Sequence, residues 1–112
     1  MASPLLPNHL RANRKSLALS QADVAFLLGT EKGDQVCRYE RFVRVPSLET
    51  ALAYEVMFKQ SVSELFPGLY QKAEREVVIR AKALVKRTGS GKSSPRATRK
   101  REALLDLANL TS

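Results

Sequence analysis

The string Thr88-Gly89-Ser90-Gly91-Lys92-Ser93-Ser94 is the stretch of this chain closest to a phosphate-binding loop. Such a loop wraps phosphates in glycine backbone amides and a lysine, and it must follow a buried strand and open a helix. Gly91, Lys92 and Ser93 fill its last three positions, but the leading glycine falls on Lys86, a residue without glycine's backbone freedom. The preceding stretch from Val77 to Arg87 is studded with charges, whereas a central parallel strand is almost continuously apolar. Only 18 residues follow Ser94, too few for later strands and acidic metal ligands. Residues 88–95 therefore read as a Gly/Ser linker. His9 and Cys37 are the only residues of their kinds, so neither a metal cluster nor a nucleophile with its base can be assembled. No cofactor, no metal and no enzymatic activity are expected. Cys37 reads as a small residue in a packed helix.

The remaining chemistry is carried by charge. Up to Phe66 there are eight basic and seven acidic residues, a net +1; from Pro67 onward there are eleven and four, a net +7. Between Arg80 and Arg101 nine basic residues occur with no acidic one. A block of this kind favours polyanions, with an attraction that salt weakens. No apolar run approaches the ~18 residues needed to span a bilayer, and Met1-Ala2-Ser3-Pro4 does not resemble the start of a secretory signal. The single cysteine gives no sign of an oxidising compartment. A cytoplasmic protein is expected.

The elements that position these groups are helical, because alternating strand patterns are absent and the chain holds only five Gly and five Pro, while 44% hydrophobic residues suffice for a modest core. Asn8 caps a first helix to about Leu17, burying Leu10 and Leu17. Ser20-Gln21-Ala22-Asp23 forms a capping box for a second helix, which carries Val24, Ala25, Leu27 and Leu28 and stops at Gly29. A third helix runs from about Asp34 to Phe42. A fourth runs from Ser47 to about Phe58, and a short fifth starts at Ser61 or Ser63 and ends before Pro67. Leu69 to Arg87 reads as a long helix with a stripe of Ala73, Val77, Ala81 and Leu84. Ser94-Pro95 opens a last helix to about Leu110, basic in its first half and striped by Ala103, Leu104, Leu107, Ala108 and Leu110.

Two short helices joined by a glycine-containing loop describe a helix-turn-helix, whose second helix can enter a DNA major groove. Leu19-Ser20-Gln21, Val24-Ala25, Leu27-Leu28-Gly29, Val36, Arg38-Tyr39-Glu40-Arg41, Pro46-Ser47-Leu48-Glu49-Thr50 and Ser63-Glu64-Leu65-Phe66 follow one another in order. On these pieces the chain resembles the XRE-type helix-turn-helix family, which includes phage repressors and Cro proteins. The resemblance implies an all-α, five-helix repressor-like DNA-binding domain at 8–66. A basic helical extension at 67–112 follows, made of the long helix, the linker at 88–95 and the short last helix.

The roles that the resemblance implies are specific. Gln21 bonds a DNA phosphate beside the amides that open the second helix. Lys32, Asp34, Gln35 and Arg38 face base edges, where Arg suits guanine, Gln adenine and Asp cytosine. Arg41 and Arg44 contact phosphates. Val36 faces inward between the two helices, and Arg14 and Glu40 form a partly buried ion pair that locks the first helix to the third. Phe26 stands where relatives carry a polar residue, and the expectation is that it packs under the long helix or against a second subunit. The function implied is a transcriptional regulator, a repressor, binding double-stranded DNA as a homodimer, with no membrane role. The alternatives are an antitoxin-like or phage-type factor whose C-terminal helix grips a protein partner, and an architectural nucleic-acid binder working through the basic extension. The stripes of the two C-terminal helices either supply the dimer contact or fold back as core.

Overall fold

In the computed structural model, which describes residues 7–30, 33–87 and 94–110, every regular element is a helix. Their order is α1 (Leu10–Ser16), α2 (Gln21–Leu28), α3 (Gly33–Glu40), α4 (Leu48–Phe58), α5 (Val62–Leu65), α6 (Pro67–Arg87) and α7 (Pro95–Ala108). The contacts divide the chain into two units, Met1–Leu69 and Tyr70–Ser112. The expected boundary at 66/67 falls three residues earlier.

Local caps decide where the helices of the first unit begin. Ser20 Oγ accepts from the Asp23 amide at 3.0 Å while Asp23 Oδ2 accepts from the Ser20 amide at 2.9 Å. Ser61 and Glu64 repeat this box at α5, and Ser47 caps α4 through the Thr50 amide. The two boxes give the fold an acid-labile component. The backbone hydrogen bond from Ser20, followed by the side-chain bond, holds Asp23 below its ordinary 3.8. Ser61 does the same to Glu64, below 4.5. A carboxylate with a depressed folded value stabilises the fold fully above its unfolded value, and that stability is lost as pH falls through the folded one. Unfolding midpoints are therefore expected to drop as pH falls below about 4. The double variant Asp23→Asn/Glu64→Gln should show a shallower drop in the same window; an identical acid limb in urea titrations would refute this origin.

The helix ends share a device. Gly29 closes α2 at φ 82°, with the Thr30 amide bonded to the Ala25 carbonyl and the Gly29 amide to Phe26. This is the left-handed closure expected of glycine at that place. The same two bonds close α1 at Ala18 (φ 59°) and α3 at Phe42 (φ 64°), neither of them glycine. The left-handed region costs an alanine about 1–2 kcal/mol, whereas glycine's freer unfolded chain costs about 0.4–1 kcal/mol. Ala18 is exposed, so no packing offsets the difference. Ala18→Gly is expected to stabilise the protein by about 0.5–1 kcal/mol in urea unfolding; a destabilised variant would contradict that turn.

The closure at Ala18 also corrects the first helix. α1 ends at Ser16, and Leu17 is left 52% exposed rather than buried. Leu19 packs on the core in its place. That core buries Leu10, Val24, Val36, Tyr54 and Leu65 completely, each of the four aliphatic side chains contributing about 1.5–3 kcal/mol. Tyr54 sits edge-on to Tyr39 at 6.3 Å and against Phe58 at 5.5 Å. The His9 amide donates to the Leu65 carbonyl at 2.8 Å, fastening the start of α1 to the end of α5.

In the second unit Val78, Ala81 and Ala108 are buried. The expected stripe holds at Ala81, which is buried, and Leu84, which is half-buried, but fails in its first half, where Ala73 is exposed, Val77 is 44% exposed and Val78 is buried instead. Three consecutive apolar residues, Val77-Val78-Ile79, leave the phase open to either line. On α7 Leu104 is half-buried and Ala103 exposed. Val77 to Arg87 is helical, so no strand leads toward Gly91-Lys92-Ser93. Those residues lie outside the described ones, as do 88–93 of the linker; Ser94 and Pro95 belong to the start of α7, where Ser94 Oγ accepts from the Ala97 amide at 3.1 Å. No described helix is long and apolar enough to cross a membrane.

Candidate functional site

The inner side of α3 is fixed by burial. Val36, Tyr39 and Glu40 point into the core, and at 100° per residue the opposite side of the helix must carry positions 34 and 38. Asp34 and Arg38 are indeed exposed, as is Arg41 past the helix end, and Arg44 follows on the connection to α4. α3 ends at Glu40 rather than Phe42, since the left-handed Phe42 reverses the chain there. The Arg38 carbonyl closes that turn by accepting from the Val43 and Arg44 amides at 2.9 and 3.3 Å. Arg41 and Arg44 are thus set by a backbone turn rather than by a continuing helix.

Behind this face lies a buried charge pair. Arg14 Nε donates to Glu40 Oε2 at 2.6 Å and Nη2 to Oε1 at 3.1 Å, with side-chain exposures of 11% and 3%. The remaining Arg14 nitrogen, Nη1, donates to the Leu19 carbonyl at 2.9 Å. The hydrogen bond to Glu40 raises the Arg14 pKa further above its already high value. The guanidinium therefore stays charged throughout the working pH range. Arg14 engages Glu40 on the inside, so the carboxylate of Glu40 is not available to the outward arginines. None of Arg38, Arg41 and Arg44 has an acidic partner within ion-pair distance among the described residues.

Gln21 opens α2 and is half-buried. Its Nε2 donates to Glu40 Oε1 at 3.2 Å, so one amide proton is held by the charge pair, and the other has no acceptor among the described residues. The glycine that starts α3 lies beside it: a Cβ on Gly33 would stand 3.7 Å from Gln21. The N-terminal ends of α2 and α3 therefore adjoin. Asn8 is a second bridge, with Oδ1 accepting from the Leu10 amide at 3.0 Å and Nδ2 donating to the Tyr39 carbonyl at 2.9 Å. Both long-range bonds were missed by sequence reasoning; Asn8 was legible only as a cap, and nothing local pairs Gln21 with Glu40.

Two expected site residues are placed differently. Gln35 is half-buried, and its Oε1 is enclosed without a hydrogen-bond partner among the described residues. It lies beside the outward face rather than on it, and its side chain must turn to present both amide groups outside. Lys32 lies outside the described residues. Phe26 is 82% exposed, so the burial expected of it is absent from the single chain. α2 turns Val24 and Ala25 inward, which leaves Phe26 and Leu27 on its outer side.

The second unit carries a different electrostatic arrangement. Arg96, Arg99, Lys100 and Arg101 are all exposed in the first half of α7, while Glu102 and Asp106 lie in its second half. That order opposes the helix dipole, whose positive end is at the N-terminus. The first half of α7 is accordingly a concentrated, uncompensated positive surface.

No protein-family model matches the chain, and no curated protein or solved structure is significantly similar to it.

Proposed function

We propose that the first unit is a helix-turn-helix domain that binds double-stranded DNA sequence-specifically, with α2 against the backbone and α3 in the major groove. The observation that carries this reading is the two-sided build of α3. Its inner side is locked by Val36 and the Arg14–Glu40 pair, and its outer side offers Asp34 and Arg38, with Arg41 just past its end. A helix fixed from behind holds its base-reading side chains in one register, which is the requirement for direct readout. Gln21 contributes a phosphate contact with its free amide proton, and Arg41 and Arg44 add charge-assisted phosphate contacts. The biological role that follows is that of a transcriptional repressor acting as a homodimer on a two-fold-related operator.

The positive half of α7 favours a supporting role for the second unit as a non-specific electrostatic arm, whose affinity falls with salt. Selection of bound sequences from a random duplex pool tests the whole reading. Enrichment of a site with two related halves about one or two helical turns apart is expected. Recovery of unenriched sequence would overturn specific recognition and leave only the electrostatic arm.

A further inference from the structure

Helix α4 turns Ala51, Tyr54 and Phe58 into the core. Its outer side is nevertheless apolar: Leu48, Leu52 and Val56 are 71%, 47% and 79% exposed. Spaced four apart, they are neighbours along one stripe of the helix. The connection entering α4 adds Val43 and Val45, 63% and 61% exposed. These five side chains present on the order of 500 Å² to water, a patch as large as any on an ordinary monomer.

We propose that this stripe is the surface through which two copies of the chain associate, with the α4 helices antiparallel about a two-fold axis at Leu52. The stripe is its own complement, because a two-fold axis at Leu52 sets Leu48 of one copy against Val56 of the other, as an isologous contact requires. Joining two such patches removes up to about 1,000 Å² from water, the lower limit for a specific interface and the range of weak, concentration-dependent association. Phe26 and Leu27 on α2 are exposed as well, at 82% and 55%, but they are sequence neighbours and do not form a run of three along one helix as Leu48, Leu52 and Val56 do. Gln21, Asp34 and Arg38 are not part of the patch, whereas Arg44 stands between Val43 and Val45 at its edge.

Sedimentation velocity of the full chain without DNA tests the proposal directly. The wild type is expected to shift from monomer to dimer with rising concentration. Leu52→Arg, at an exposed position, should weaken association about 30-fold or more while leaving the far-UV circular dichroism unchanged. Cysteine trapping gives a second readout that needs no loss of function. In a Cys37→Ser background, Leu52→Cys should form a covalent dimer with a mild oxidant, whereas Arg11→Cys, exposed on α1, should not. A wild type that stays monomeric at every concentration, as it would if another segment covered the stripe, overturns the proposal. So does a dimer that survives Leu52→Arg and fails to cross-link at position 52. This surface rests on the homodimer of the proposed repressor: a monomeric result overturns both, while recognition of a single half-site by α3 is tested separately by the duplex selection.

Discussion

Arg14→Ala is expected to destabilise the protein by about 3 kcal/mol, because it strands a buried carboxylate. Glu40 is 3% exposed at its side chain and receives two of its three side-chain hydrogen bonds from Arg14. After the substitution only the Gln21 amide remains to solvate the charge. A surface pair would be worth about 0–1 kcal/mol, so the magnitude itself separates the buried reading from an exposed one. Leu19 loses a partner as well, since its carbonyl accepts from Arg14 Nη1. The penalty comes from an uncompensated charge rather than from a missing attraction. Arg14→Met combined with Glu40→Leu is therefore expected to cost less than Arg14→Ala alone. Urea unfolding of the two single variants and the double variant measures this. Single costs below about 1 kcal/mol, or strictly additive costs, would show that the pair is not the lock between α1 and α3.

The same residues show how far the sequence could be read. Ser20, Gly29, Ser47 and Ser61 mark helix ends because capping is chemistry between residues a few positions apart, and the structure uses each in that way. The all-helical character is legible for the same reason. Phase and direction are less so. The run Val77-Val78-Ile79 admits two inward lines, and the choice of Val78 is made by packing. Leu17 looks like core by periodicity, but the left-handed Ala18 ends α1 first and turns it outward. No local rule calls for a left-handed alanine or phenylalanine, so neither this turn nor that at Phe42 could be foreseen. Of the candidate site, the exposed Asp34 and Arg38 follow from the period of α3 once Val36 is placed inside, whereas Arg41 lies past the end of α3 and is set by the turn at Phe42. Gln35 does not, because its half-buried position depends on what encloses its amide oxygen. The bonds Asn8–Tyr39 and Gln21–Glu40 span 31 and 19 residues, and contacts at such separation are properties of the assembled fold.

On the proposed DNA-binding reading, Arg38→Ala is expected to reduce affinity for the selected duplex by about 1–3 kcal/mol, roughly 5- to 150-fold, with little change for unrelated duplexes. Two features make this substitution a clean probe. The side chain is exposed and without an acidic partner among the described residues, so stability should move by no more than about 0.5 kcal/mol. The structural work of residue 38 is done by its carbonyl, which closes the α3 turn through Val43 and Arg44 and survives the change. Arg44→Ala makes the contrast. As a phosphate contact it should weaken specific and non-specific duplexes alike and lower the salt slope of log affinity by about 1. Removing Arg99, Lys100 and Arg101 together should act like Arg44→Ala but more strongly, since they belong to the positive half of α7 and carry no sequence information of their own. Fluorescence anisotropy at several salt concentrations, with the selected duplex and a scrambled one, separates the two behaviours. If Arg38→Ala leaves the ratio between the duplexes unchanged, α3 does not read bases through Arg38. Recognition would then rest on backbone charge alone, and the helix that the Arg14–Glu40 pair holds in place would serve a different ligand.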